Sequence, residues 1–184
     1  LTQDIRDAIK NLQDAIAEAA DNQGDARQAA QDALNATAPV SHEQATADAI
    51  QNLQDVLNNP AATTADIQEA TEKLTAATAT DQVDRDAANT QANDAVSAAE
   101  TSDQATEPGV LEAIQHLKDV QAKAAADSSD ALTDDIKQAI NDLAAAQEAA
   151  KQNQQAARDA AAHAIAASQP VSNAATVPTA RDAL

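Results

Sequence analysis

The stretch that decides the fold is Thr63-Thr-Ala-Asp-Ile-Gln-Glu-Ala-Thr-Glu-Lys-Leu74, because its pattern stands at two other places in the chain. One is Leu1-Thr-Gln-Asp-Ile-Arg-Asp-Ala-Ile-Lys-Asn-Leu12; the other is Leu132-Thr-Asp-Asp-Ile-Lys-Gln-Ala-Ile-Asn-Asp-Leu143. Ile5, Ile67 and Ile136 are therefore equivalent, with a period of 62 residues (67 − 5) and then 69 (136 − 67). Fixed periods of this kind mark chains built by copying one supersecondary unit.

Inside each copy the pattern is helical. Thr63, Ile67, Ala70, Leu74 and Ala77 alternate steps of four and three, the spacing of one apolar stripe. Leu1, Ile5, Ala8, Leu12, Ala15 and Ala19 do the same, as do Leu132, Ile136, Ala139, Leu143 and Ala146. Thr2, Thr64 and Thr133 are expected at the N-caps, with Asp4, Asp66 and Asp135 near the positive end of the helix dipole.

Spacings outside the stripe separate rigid from variable parts. Ile5 to Leu34, Ile67 to Val96 and Ile136 to Ile165 each span 29 residues. The next apolar anchors, Ile50, Ile114 and Leu184, follow at 16, 18 and 19, and the return to the next copy takes 17 or 22. Length varies only in these two places, as loops allow, and Pro39, Pro60, Pro108, Pro170 and Pro178 all fall there. No Gly or Pro stands between Leu74 and Val96. The spacing predicts one continuous helix from about Thr64 to Ala99, with Ile67 and Val96 about 43 Å apart at 1.5 Å per residue. The rival is a hairpin near Asp81–Asp86. Gly24 marks the weakest place in the first copy, where the pattern fits either a continuous helix or a kink, at about 1 kcal/mol relative to Ala.

A second helix runs through Ala49, Ile50, Leu53, Val56 and Leu57, with its copy at Val110, Leu111, Ile114, Leu117 and Val120. Ser41 with Gln44 reads as a capping box at its start, and Thr106–Pro108 and Thr176–Pro178 stand in that region of the later copies. No β-branched run alternates at period two, so the fold class is all-α: tandem three-helix bundle repeats linked by shared long helices into an elongated rod. Two frames fit. One divides the chain into 1–62, 63–131 and an incomplete 132–184; the other places units at 25–80 and 86–150 with partial units at both ends.

Composition excludes most functions. Of 184 residues none is Cys, Met, Trp, Tyr or Phe, which removes thiol chemistry, thiolate metal sites and aromatic stacking platforms. A formal charge of −19 opposes nucleic acid and anionic membrane surfaces, and no apolar run approaches the ~20 residues that span a bilayer. Fifty-two residues are Ala, each burying little more than a methyl, so thin cores between close helices are expected. Leu1–Lys10 carries helix-patterned charge where a leader would be apolar, so for a secreted protein an internal piece of a longer chain is expected, monomeric within it.

No constellation for catalysis emerges. His42, His116 and His163 occupy different repeat positions and none has a second His at i+4, so they read as solvated surface residues. Asp81, Asp84 and Asp86 invite a calcium reading, but an EF-hand loop needs a Gly and a Glu at places where this segment has neither. Asn35-Ala-Thr37 is a formal glycosylation sequon in an Asn- and Thr-rich chain. No Gly-rich loop exists to cradle phosphate. The expectation is a non-enzyme with no catalytic, cofactor or metal residues, no cofactor, and a ligand site, if any, that these residues do not reveal.

Ala49-Ile-Gln-Asn-Leu-Gln-Asp-Val-Leu-Asn-Asn-Pro-Ala-Ala-Thr-Thr-Ala-Asp-Ile-Gln-Glu-Ala-Thr-Glu-Lys-Leu74 resembles the second and third helices of FIVAR modules, three-helix repeats of large Gram-positive cell-wall proteins that include matrix-binding adhesins. Val56-Leu-Asn-Asn-Pro-Ala-Ala-Thr63 carries most of the likeness. The resemblance implies helices at Ala26–Thr37, Ser41–Asn58 and Thr64–Thr80, a second module over about 86–150, and a secreted, wall-attached, extracellular setting. The aromatic residue that such modules often carry between their first two helices is missing, so no family ligand site transfers.

Three functions follow as expectations. One is a stalk or spacer in cell adhesion, kept soluble by its charge. Another is a module that binds a host matrix protein or glycan through one helical face. Ice binding, the third, lacks the Thr array at an eleven-residue period that it requires. A binder would offer an exposed apolar patch; with the stripes filled, an acidic surface all round is expected.

Overall fold

The computed structural model describes residues 2–126 and 131–168; Leu1, Pro170, Thr176, Pro178 and Leu184 lie outside the described residues. The protein is all-α. Helices α1 (Thr2–Ala36), α2 (Gln44–Asn58), α3 (Thr64–Glu100), α4 (Pro108–Ala126) and α5 (Thr133–Ser168) follow one another, with a 3₁₀ turn at Ala38–Val40. No strand occurs among the described residues.

Helix α3 runs unbroken through Asp81–Asp86, so the 29-residue spacing does mark a continuous helix, and the hairpin is excluded. Its threonines are accommodated by donating to the carbonyl four residues back: Thr71 to Ile67, Thr75 to Thr71, Thr78 to Leu74 and Thr90 to Asp86. Helix α1 passes Gly24 in the same way. Of the two alternatives the continuous helix forms: the glycine has no positive φ and its surroundings are open. Helix propensity alone supplies too small a penalty to break a long run.

These helices are polar over much of their surface and are held by a recurrent side-chain pair. A Gln amide donates to an Asp carboxylate four residues on at Gln3–Asp7, Gln28–Asp32, Gln44–Asp48, Gln51–Asp55, Gln82–Asp86, Gln115–Asp119, Gln138–Asp142 and Gln155–Asp159. Such pairs stabilise a helix by about 0.2–0.5 kcal/mol each.

The helix starts differ from the sequence reading by one residue and by one partner. Thr64 and Thr133 are the first residues inside their helices, so Thr63 and Leu132 hold the N-cap place. Thr63 forms a reciprocal box: its backbone N–H and hydroxyl both donate to the Asp66 carboxylate at 2.8 Å, while its hydroxyl accepts from the Asp66 N–H. These bonds hold the Asp66 carboxyl below its usual range. The Ser41–Gln44 box does not form. Ser41 donates to the Ala38 carbonyl in the 3₁₀ turn, and α2 begins at Gln44 after Glu43 without a local side-chain cap. Its cap comes from α3, where Asp81 accepts from the Thr46 N–H at 3.1 Å and the Thr46 hydroxyl at 2.7 Å. At its far end α2 stops where Pro60 forces Asn59 into extended geometry.

Two compact units divide the chain, Leu1–Thr90 with Val120–Ile136, and Gln91–Asp119 with Lys137–Leu184. In the first, Ala26 and Ala30 of α1, Leu53 of α2, Ala62 of the turn, and Ile67, Ala70 and Leu74 of α3 form one core, flanked by Leu34, Ile50, Val56 and Leu57. Four methyl-sized residues among them, Ala26, Ala30, Ala62 and Ala70, let the helices approach closely, which is the thin core expected. In the second unit Ala92, Val96, Val110, Leu117, Ala139 and Leu143 are buried.

Candidate functional site

The least ordinary chemistry in the chain is a buried cation in the middle of α3. Arg85 is 4 % exposed, and a charged residue so deep requires partners on every side. Its guanidinium donates to the Ala124 carbonyl at 3.0 Å, to the Glu43 carboxylate at 2.9 Å and to the Ala131 carbonyl at 3.3 Å. Only Nε lacks a partner. Glu43 is itself held: the N–H and hydroxyl of Thr133 both donate to the same oxygen at 2.7 Å. One ion pair therefore joins the start of α2, the centre of α3, the end of α4 and the start of α5, all within the first unit.

The repeat places equivalents of Arg85 at Gln23 (85 − 62) and Gln154 (85 + 69). Both are used. Gln23 donates to the Ala62 carbonyl at 3.0 Å, and Ala62 is the equivalent of Ala131. Gln154 donates to Glu107 at 3.0 Å, and Glu107 stands where Glu43 does, seven residues before the Ile50/Ile114 anchor. Gln104 also donates to the Gln154 side-chain oxygen at 3.2 Å. The same helix position thus reaches a glutamate before a second helix, a carbonyl in a following turn, or, at Arg85, both. Sequence reading missed this set because Gln, Arg and Gln share no apparent chemistry; only the equivalence of Ile5, Ile67 and Ile136 reveals them.

The residues weighed from the sequence do not converge. His42, His116 and His163 are exposed, and the His42 ring meets the Ser41 hydroxyl at 3.1 Å. Asp81 caps α2, Asp86 accepts from Gln82, and Asp84 is exposed. Among the described residues no group of three or more His, Asp or Glu stands close enough to share a metal ion. In the sequon, Asn35 accepts from Gln31 in the last turn of α1, while Thr37 is buried and donates to the Leu34 carbonyl. No described helix is long and apolar enough to cross a membrane.

Among the described residues, Val83 and Leu111 are exposed singly, and one group departs further from the expected acidic coat. Ile5, Ile9, Leu12 and Ile16 of α1 are 52–62 % exposed on one helical face. Ile67 and Ile136, the equivalents of Ile5, and Leu74 and Leu143, the equivalents of Leu12, are fully buried, so the same stripe is covered in the later copies and open in the first. Beside it a groove of about 900 Å³ lies between α1 (Ala19, Asn22, Ala26) and α3 (Thr64, Gln68, Thr71).

Compared with known proteins, the chain matches no family model, no curated protein and no solved structure.

Proposed function

We propose that the chain is a non-enzymatic repeat region of a bacterial surface protein, a stalk or spacer in cell adhesion, extracellular and attached to the cell wall. The likeness of Ala49–Leu74 to FIVAR modules supports the setting, and the helices it implies overlap α1, α2 and α3, running one residue past the end of α1 and starting three before α2. One core draws on those three segments together. The observation that carries the reading is the junction position at Gln23, Arg85 and Gln154. Once per repeat, a buried or half-buried polar side chain at this position ties a helix start or a turn to a long helix, as an array of joined bundles requires.

In this reading, units that share long helices extend as a rod, and their charge keeps neighbouring arrays apart. The test pairs two measurements on this chain. Small-angle scattering is expected to give a thin rod cross-section, and a screen against glycans and matrix proteins is expected to stay at background. Saturable binding to one ligand would replace the spacer with a binding module.

A further inference from the structure

We infer that the Ile5 face of α1 and the groove beside it receive a helix pair of this same repeat type. Its second helix follows a glutamate and carries an apolar residue three positions on. The inference rests on the repeat reading above and adds the partner that one unit takes from another.

The chain shows the equivalent groove already filled. Ala19 and Thr64, which line the open groove, correspond to Asp81 (19 + 62) and Thr133 (64 + 69). There, Thr133 and Arg85 hold Glu43, and Asp81 holds Thr46, so the segment that opens a second helix occupies the site. The apolar stripe agrees. Ile67 and Leu74 are covered by the first- and second-helix residues Ala26, Ala30 and Leu53, whereas Ile5 and Leu12 stand bare. Groove and stripe lack the same thing.

Side chains at the junctions specify which pair fits. Arg85 occurs with Asp81 on its helix and Thr46 opposite it. Gln154 occurs with Ala150, and the position of Thr46 is then Val110; both Ala150 and Val110 are buried. Gln23 occurs with Ala19. The open groove therefore has the Gln–Ala chemistry of the second junction, and its occupant is of the Glu107-Pro-Gly-Val110 kind rather than Glu43-Gln-Ala-Thr46. A Thr against Ala19 would lose the acceptor that Asp81 supplies, whereas Gln23 is placed to meet the glutamate as Gln154 meets Glu107.

The experiment appends residues 86–131 ahead of Leu1. This reproduces the natural join, because Leu132-Thr-Asp-Asp-Ile136 and Leu1-Thr-Gln-Asp-Ile5 correspond. Amide exchange of residues 5–16 is expected to slow by about 100-fold or more relative to the unmodified chain, since a helix exposed on every side opens readily and a packed one does not. Exchange at Ile67–Leu74, read in the same spectra, reports that the host remains folded. Appending residues 24–62 instead, with Thr46 set against Ala19, is expected to protect less. Unchanged exchange at 5–16 in a folded host overturns the inference, and equal protection by both pairs overturns its choice of partner. So does a dimer of the unmodified chain that Leu12→Asp dissolves, because a second copy would then be the occupant. The two readings fail separately. A glycan bound by the fused chain removes the spacer and leaves the docking, while absent protection with a silent screen does the reverse.

Discussion

Leu12, Leu74 and Leu143 are one residue in three copies, and the same substitution should give different losses. Leu→Ala removes three carbons. At about 0.8 kcal/mol each, full burial makes the transfer loss about 2.4 kcal/mol. Leu74 and Leu143 are 0 % exposed, so both lose all of it. At Leu74 the surrounding core includes Ala26, Ala30 and Ala70, whose methyls cannot swing into the space, so a cavity cost is added. The expected loss for Leu74→Ala is about 3 kcal/mol, and for Leu143→Ala about the same. Leu12 is 62 % exposed, leaves no cavity, and regains a little from the higher helix propensity of Ala. Its loss should stay below about 1 kcal/mol by the same transfer arithmetic. Without Trp or Tyr the assay is urea unfolding followed by circular dichroism at 222 nm, with exchange rates at each site to localise the effect. Equal losses at Leu12 and Leu74 would refute the reasoning, because burial would then not be what distinguishes the copies.

Further outcomes follow from the junction, the glycine and the cap. Arg85→Leu strands the Glu43 carboxylate and should cost about 3–5 kcal/mol in the same denaturation assay, whereas Arg85→Gln, which recreates the Gln154–Glu107 pairing, should cost less than half as much. Gly24→Ala should raise stability by up to about 1 kcal/mol, since an added Cβ meets nothing within 4 Å; a lower melting temperature would argue against the straight helix. Asp66 should titrate by NMR below the ordinary aspartate value, and Thr63→Val, which keeps the backbone bond and removes the hydroxyl's, should raise it only part of the way back. Because its folded pKa is depressed, the capping contribution is complete above the unfolded pKa, near 3.9, and fades as pH falls through the folded one. Acid lability that is unaltered in Thr63→Val would contradict that assignment.

Much of the fold was legible because helices write their faces locally. The stripe from Ile67 to Leu74 and the invariant 29-residue spacing were enough to foresee α3 as a single helix. What escaped were features that depend on a neighbour. The start of α2 looked self-sufficient in Ser41 and Gln44, yet its cap is Asp81, 35 residues away. The burial of Arg85 follows from its partners before α2, at the end of α4 and before α5, which local periodicity does not report. Ile5 and Leu12 carry the same stripe as Ile67 and Leu74, and a stripe announces that a face is apolar without saying whether its cover is present. The junction glutamates were hidden for a further reason: Glu43 and Glu107 sit in the segments whose length varies, where alignment by eye fails first.

The unbroken run of α3 also governs which changes in length the gene can tolerate. Each residue inserted between Leu74 and Ala88 turns everything beyond it by 100° about the helix axis, carrying Arg85 or Ala88 away from its partners. Seven added residues come within about 20° of the original bearing and eleven similarly close, but each also lengthens the helix by about 10 Å or more. A long shared helix is therefore a fixed gauge, and drift by insertion or deletion is confined to the turns before α2 and α3. Where copies of this unit differ in length, the difference should be found there, and a chain altered inside the gauge should survive only by whole-repeat duplication.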